Sequence, residues 1–591
     1  MDSSLDRIGA AVKTLTTKAP WRLMGSIALW ALPIAFMGLF FFYPLGKITA
    51  LAVSRSSAEG ALPLWQALRS PYIARIIGFT FWQASLSTLL TVAVGLPAAY
   101  IFARYDFRGK SFLRSLTGIP FVLPTLVVAA AFNALIGPRG WLNLALMLIL
   151  NLKSPPLTLT NSLTAIVLAH IFYNLTIVIR LVGDYWARLD PRLGKAAQVL
   201  GCTPGKVFWQ VTLPLLLPAV LAAALLIFIF DFTSFGVILV LGGPRFATLE
   251  VEIYYQITGL FNLPLAMALS LIQLGCTLGM TILYNRLSEP VTRPSNIWRS
   301  KFSLKAAVGR RERLLIAAVI GFLLLFQVSP LAALVARSFV RAGPERGEAS
   351  ISTPQFSLAA YRELFINRRE SLFYIPPARA VSVSLGYALT TVFLSLILGL
   401  PAAWLLAQSS NGLPLLNRLK RWLDPLLMLP LGTSSLTLGL GFIIAFDRPP
   451  LDLRASPFLI PLAHTLVAFP FVVRSLTPAL KSIRPRLRQA AAMLGADPVQ
   501  SLWRVDLPLA GRALFVAAVF AFSISLGEFG ATALLARPEY PTIPVAIYRF
   551  LSQPGELNYA QSLALSVILM LVTTAGMLAM ERFRVGEIGE F

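Results

Sequence analysis

Twelve apolar runs of about eighteen residues or more follow one another along this chain, and runs of that length point to crossings of a bilayer. They fall at approximately 23–45, 76–103, 115–136, 162–181, 214–241, 263–284, 314–336, 380–407, 424–446, 456–477, 508–536 and 559–580. With 57% hydrophobic and 13% charged residues, 591 positions supply too little polar surface to cover a water-soluble body. Backbone groups in hydrocarbon must be satisfied within each segment, so the runs are expected to be helices and the protein an all-α integral membrane protein. The stretch 141–150 is too short to cross and reads as interfacial or re-entrant. The first run follows Arg7, Lys13, Lys18 and Arg22, exceeds a signal-peptide core in length and is read as a retained helix.

A net charge of +25 could suggest nucleic acid, but the distribution of the cations decides otherwise. With the N-terminus in the cytoplasm, 32 of the 51 Lys and Arg residues fall in the seven segments on that side. That asymmetry follows the positive-inside rule, so the basic balance is topological and no nucleic-acid partner is expected.

The second six runs repeat the first six. Gly95-Leu96-Pro97-Ala98-Ala99-Tyr100 answers to Gly399-Leu400-Pro401-Ala402-Ala403-Trp404, and Leu123-Pro124 to Leu429-Pro430, at offsets of 304 to 306. From Ala169-His170 and Ala463-His464 onward the offset is 294, through Phe235-Gly236 with Phe529-Gly530 and Ile253-Tyr254 with Ile547-Tyr548. Six crossings are an even number, so the two halves, 1–284 and 314–591, share one orientation, with a shared pathway between them. The segment 285–313 holds eight basic residues and reads as a solvated cytoplasmic tether near anionic headgroups. On the other side, Leu358, Tyr361 and Phe365, and likewise Leu64, Trp65 and Leu68, are spaced as amphipathic pieces lying on the membrane edge.

One repeated segment is polar and basic rather than apolar. Lys195-Ala196-Ala197, then Gly201, then Val211-Thr212-Leu213-Pro214 has its copy in Gln489-Ala490-Ala491, Gly495 and Val505-Asp506-Leu507-Pro508. The pattern suggests two short helices hinged at a glycine that accepts a left-handed backbone, with Pro214 and Pro508 opening the next membrane helix. In the first copy Ala196, Ala197 and Leu200 put small or apolar side chains on one face, open to close approach by another surface. Two equal copies on the cytoplasmic side act as two handles.

These loops, at about 190–214 and 484–508, resemble the EAA loops of ATP-binding-cassette importer permeases, which insert into a groove on a cytoplasmic ATPase. More narrowly, the chain resembles the fused permeases of the ferric iron and thiamine branch. That likeness rests on Phe81-Trp82-Gln83-Ala84, Ala169-His170-Ile171-Phe172-Tyr173-Asn174-Leu175, Thr248-Leu249-Glu250 with Ile253-Tyr254, and Ser525-Leu526-Gly527-Glu528-Phe529-Gly530. It implies the type I importer permease fold, about 12 transmembrane helices as two parallel-repeat six-helix halves. It further implies two copies of an ATPase subunit, docking through Ala196, Ala197, Gly201, Leu213, Pro214, Ala490, Ala491, Gly495, Leu507 and Pro508, and an extracytoplasmic binding protein. The usual loop glutamate is replaced by Lys195 and Gln489, so a salt bridge made through that carboxylate is not expected here.

The chain lacks a phosphate-binding loop of its own: Gly109-Lys110-Ser111 has Arg104 where the first glycine belongs, and Gly205-Lys206 is followed by Val207. ATP and Mg are therefore expected to be used by the partner, with no cofactor bound by this chain and no enzymatic activity of its own. Asp231 and Glu528 are the acids placed within apolar runs, and such acids are costly in a membrane and read as functional. They are expected to line the passage with Asn174 and Ser234. His170 and His464 occupy matching positions with no ligand partner legible nearby, so a structural role and no metal site are expected. Cys202 and Cys276 suggest neither a disulfide nor a metal site.

The reading is a permease in the cytoplasmic membrane of a bacterial-type cell, with N-terminus and both loops cytoplasmic, importing a small solute of the ferric iron or thiamine class by alternating access. An ion-coupled secondary transporter would leave the repeated loop unexplained, and a membrane enzyme would need a catalytic cluster that the sequence does not offer.

Overall fold

A computed structural model describes residues 30–58, 69–292, 305–306, 309–340, 356–366, 375–408, 414–449 and 451–583. The segment before Trp30, the trio Leu64, Trp65 and Leu68, and positions 293–304 and 307–308 of the basic tether lie outside them. Among the described residues, ten helical stretches are long and apolar enough to cross a membrane, one of them Thr125–Leu150, which takes in the 141–150 stretch that reads from sequence as too short to cross, and two bent pairs bring the number to twelve if each pair is one span.

In the first half α1 (Trp30–Ala52) precedes α2 (Pro71–Arg104), which starts with proline at its first position, where a missing N–H costs nothing. There follow α3 (Lys110–Val122), α4 (Thr125–Ile136), the short α5 (Trp141–Leu150), α6 (Leu163–Arg188), α7 (Pro191–Val199) and α8 (Pro204–Phe232). The half closes with α9 (Gly236–Leu241), α10 (Leu249–Thr258) and α11 (Leu263–Thr292). In the second half α12 (Arg310–Ser338) and the short α13 (Ala359–Glu363) precede α14 (Arg379–Ala407), α15 (Pro414–Met428), α16 (Ser435–Ala445) and α17 (Leu459–Ser482). Then come α18 (Pro485–Met493), α19 (Val499–Leu509), α20 (Gly511–Gly527), α21 (Gly530–Leu535), α22 (Ile543–Leu551) and α23 (Glu556–Phe583). A two-residue parallel pairing of Tyr105-Asp106 with Lys305-Ala306 ties the first half to the tether.

Four of the expected runs are not single helices. The run 115–136 is split because Leu123 precedes Pro124 and is driven to extended backbone, ψ 139°. Its counterpart turns by 96° between Lys420–Gly432 and Ser435–Ala445. Ahead of each of these runs a lysine, Lys110 in the first half and Lys420 in the second, reaches back to the helix before it. Each lysine donates to a carbonyl near the end of the preceding helix, Tyr105 O at 2.8 Å and Gln408 O at 2.7 Å. The runs 214–241 and 508–536 are interrupted at Thr233–Phe235 and at Glu528-Phe529.

The halves are interwoven. Phe40 of α1 packs against Phe442 and Phe446 of the second half at 6.1 and 5.6 Å between ring centroids. In return Phe326 of α12 reaches Phe172 of α6 at 6.2 Å. The last helices cross as well, α23 packing on α3 and α4, and α11 on the turn Leu429–Gly432. Two glycines let corresponding helices meet closely: a Cβ on Gly95 would stand 2.6 Å from Val178 Cβ, and one on Gly399 2.6 Å from Val472 Cγ1. Val178 and Val472 are repeat mates. Gly399→Ala is expected to cost about 1–3 kcal/mol by overpacking, read as a lowered melting temperature, whereas Gly78→Ala, with nothing within 4 Å of the new methyl, is expected to be tolerated.

Candidate transport pathway and coupling loops

Each polar loop is two short helices joined at a glycine. α7 ends where Gly201 takes φ +89°, and α18 where Gly495 takes φ +86°. Gly201 N–H donates to Gln198 O and Cys202 N–H to Ala197 O, at 2.9 and 3.0 Å; Gly495 to Ala492 O and Ala496 to Ala491 O repeat this at 3.0 and 3.0 Å. This double bond pattern satisfies the last helical carbonyls and demands a residue without a Cβ at the left-handed position. The tips beside the glycines are apolar and uncovered: Val199 and Leu200 are 87% and 84% exposed, Met493 and Leu494 89% each. Four large apolar side chains thus stand uncovered at two matched tips. Lys195 and Gln489 are exposed, Ala196 and Ala490 are exposed, and Ala197 and Ala491 half-buried.

Pro214 and Pro508 do not open helices, as their position in sequence suggested. Each follows a single π-helical turn, Phe208–Thr212 and Leu502–Asp506, again 294 residues apart. Leu213 N–H reaches Phe208 O, and Leu507 N–H reaches Leu502 O. The wider turn accommodates a proline that has no N–H and would clash with an ordinary helical carbonyl. α8 continues past it, while α19 and α20 are bent by 79°.

The second loop has an additional anchor. Asp506, 1% exposed, accepts from Arg488 Nε at 2.8 Å and Trp404 Nε1 at 2.9 Å, and the same guanidinium donates to Leu480 O. The corresponding positions in the first half are Thr212, Gly194 and Tyr100, so no such pair can form there. Instead Trp186 packs on Tyr100 and Phe208, at 5.2 and 6.2 Å.

Deeper in, the interrupted helices carry the acids singled out from sequence. Asp231 ends α8 and accepts from Asn174 Nδ2 at 2.7 Å, while Gln83 Nε2 donates to the Asp231 backbone carbonyl at 2.9 Å. Glu528 caps α21: its carboxylate accepts from Ala531 N, Thr532 N and Thr532 Oγ1 at 2.9, 3.1 and 2.7 Å. A carboxylate over a helix N-terminus is stabilised by the unpaired N–H groups there. Contrary to the expectation that they had no ligand partner, both histidines touch these acids. His170 Nδ1 lies 3.4 Å from Asp231 and His464 Nε2 3.3 Å from Glu528. The two acids are not repeat mates, yet the halves still correspond. Asp231 matches Ser525 and Ser234 matches Glu528, so each ring faces one acid and one serine with their order exchanged.

The last residue of each interruption stands at the pseudo-twofold axis. Phe235 and Phe529 stack on one another at 5.2 Å and 16° between planes, and the mates Tyr254 and Tyr548 meet edge to face at 6.3 Å. Each phenylalanine also packs on the tyrosine of its own half, at 5.3 and 5.4 Å. Only residues at a twofold contact their own copies, so this quartet sits where the halves meet, with Phe235 and Phe529 buried at 6% and 4% exposed.

Two further acids escaped the sequence reading because α10 is too short and polar to register as a membrane run. Glu250 accepts from Gln273 Nε2 at 2.6 Å and Glu252 from Gln256 Nε2 at 2.6 Å and Tyr72 Oη at 3.0 Å, all with the acids 2% exposed. Glu250 lies one helical turn before Tyr254, on the same face, and within electrostatic range of Glu528.

The model of the family described as binding-protein-dependent transport system inner membrane component matches residues 92–292 and again 395–584. The chain is 27% identical over 530 residues to the thiamine transport system permease protein ThiP of Salmonella typhimurium, covering 88% of this chain and 91% of that one. To the ThiP of Escherichia coli K12 it is 27% identical over 516 residues, 86% and 88% of the two chains. To the probable ABC transporter permease protein y4fN of Sinorhizobium fredii it is 26% identical over 547 residues, 90% and 92% of the two.

Proposed function

Since the chain belongs to the family of binding-protein-dependent transport system inner membrane components, we propose that it is the fused permease of an ATP-driven importer whose cargo is thiamine or a similar aromatic cation. The single observation that carries the energy-coupling part is the matched pair of glycine-capped loops with uncovered apolar tips. In this reading they receive two copies of a cytoplasmic ATPase and lie with the N-terminus on the cytoplasmic side, which the distribution of Lys and Arg supports. ATP and Mg bind to those partners. Closure of the ATPase pair drives α7 and α18 together, and the interrupted helices carry that motion to Phe235 and Phe529. A binding protein delivers the solute on the opposite face.

Asn174, Asp231, Ser234 and Glu528 line the passage in this reading, with Glu250 added. The thiamine assignment draws on the names of the relatives and on the mixture of carboxylates and aromatic rings at the axis. Hydrogen bonds already satisfy much of each carboxylate, so their contribution to the cargo is electrostatic, at a distance.

Proteoliposomes holding this chain, its ATPase and a thiamine-loaded binding protein test the proposal. Thiamine is expected to accumulate only when ATP, ATPase and binding protein are all present. Accumulation that persists without ATP would replace it with ion-coupled transport, and ATP-dependent uptake of ferric ion in place of thiamine would reassign the cargo.

A further inference from the structure

The chain has two histidines, and both rings stand at the helix interruptions that lead to the axis. His464 of α17 is gripped on either side of the second interruption. Its Nδ1 meets Ser525 Oγ of α20 at 2.8 Å and its Nε2 meets Thr532 Oγ1 of α21 at 2.7 Å. Thr532 Oγ1 donates onward to Glu528 at 2.7 Å, and a hydroxyl has one proton, so on that side of the ring it accepts from His464 Nε2. Phe529 lies between the two gripped residues. In the first half His170 Nε2 meets Ser234 Oγ at 2.9 Å, immediately before Phe235, while Nδ1 meets Ser87 Oγ of α2 at 3.1 Å. The counterpart of Ser87 is Thr391, which Ser525 contacts at 3.2 Å. The counterpart of Thr532 is Ile238, so the first ring has no hold beyond its interruption.

We propose that His170 and His464 are positioning residues of the axial closure. Each imidazole clips an interrupted helix to its neighbours and thereby sets where Phe235 and Phe529 stand. His464, which spans both arms of the break, carries the greater share. A ring that merely filled the core would give the same burial without bonding to both sides of a break. The inference rests on the transport reading only for the meaning of the closure, and its test uses neither ATPase nor solute.

The test is the distance between spin labels at Leu260→Cys and Gln553→Cys, past the ends of α10 and α22, in the full chain in lipid nanodiscs with Cys202→Ser and Cys276→Ala. The parent is expected to give one short distance. His464→Ala is expected to raise the share of a longer distance about tenfold, the effect of losing roughly one net hydrogen bond from the closed state. His464→Gln, whose amide both donates and accepts, is expected to restore the parent distribution, and His170→Ala to shift it less than His464→Ala. Should His464→Ala not fold, the pair Ser525→Ala with Thr532→Val removes the ring's partners and keeps the ring, with the same shift expected. A parental distribution in folded His464→Ala, or in the folded paired variant, overturns the proposal, as does His464→Gln behaving like His464→Ala.

Discussion

Replacing Leu200 and Leu494 together by aspartate is expected to abolish ATP-driven transport while leaving the protein folded. Both side chains are more than four-fifths exposed at the tips of the coupling loops, so the folded chain alone loses almost nothing. A partner that buries them would instead have to desolvate two unpaired carboxylates. Apolar anchors at the centre of an interface typically account for about 2–4 kcal/mol each. Losing both therefore predicts a fall of roughly 1000-fold or more in affinity for the ATPase, at about 1.4 kcal/mol per factor of ten. Co-purification with the ATPase and the melting temperature of the free permease are the measurements. Unchanged co-purification would remove the tips from the docking surface. Lys195→Glu and Gln489→Glu, which restore the acid common in related loops, change exposed positions and are expected to leave the fold unaffected.

The second large effect comes from removing Arg488. Asp506 is 1% exposed and its carboxylate would keep only the Trp404 donor, leaving a buried charge without its cation. Breaking such a pair by deleting one partner costs about 3–5 kcal/mol, and the partial exposure of Arg488 puts this case near the lower end. The damage should be one-sided. Hydrogen exchange is expected to quicken across 485–509 and to remain as in the parent across 191–215, where no equivalent pair exists. Equal loosening of both loops would show that the anchor is not local.

What the sequence revealed and what it hid follow from the same physics. Apolar runs and the 294-residue offset declared the duplicated helical architecture because hydrocarbon thickness and duplication both leave periodic marks. The interruptions were hidden inside those runs: Thr233–Phe235 and Glu528-Phe529 lie in apolar company that reads as continuous helix, though Leu123-Pro124 carried a local signal. Asp231, Asn174, Ser234 and Glu528 were legible as costly polar groups. The structure joins Asp231 and Ser234 to His170, Asn174 to Asp231, and Glu528 to His464. That the rings meet these acids was not legible, because the contacts span some 60 positions and the acid and serine change places between halves. The axial quartet was present in the sequence as the paired Phe-Gly and Ile-Tyr signatures, but repetition alone cannot say which copies meet. The exchange of first and last helices between halves left no mark, since crossed and uncrossed arrangements have the same hydropathy.

The whole account depends on force entering at two equivalent cytoplasmic contacts. Disulfide trapping from Ala197→Cys and Ala491→Cys to cysteines introduced around the docking groove of the ATPase, in membranes from cells making both proteins, addresses this most directly. The account predicts that each position captures an ATPase subunit, that the doubly substituted chain captures two, and that the trapped complex no longer transports. Failure of both positions to capture the ATPase in a complex that still transports, or capture by one position alone, would contradict it.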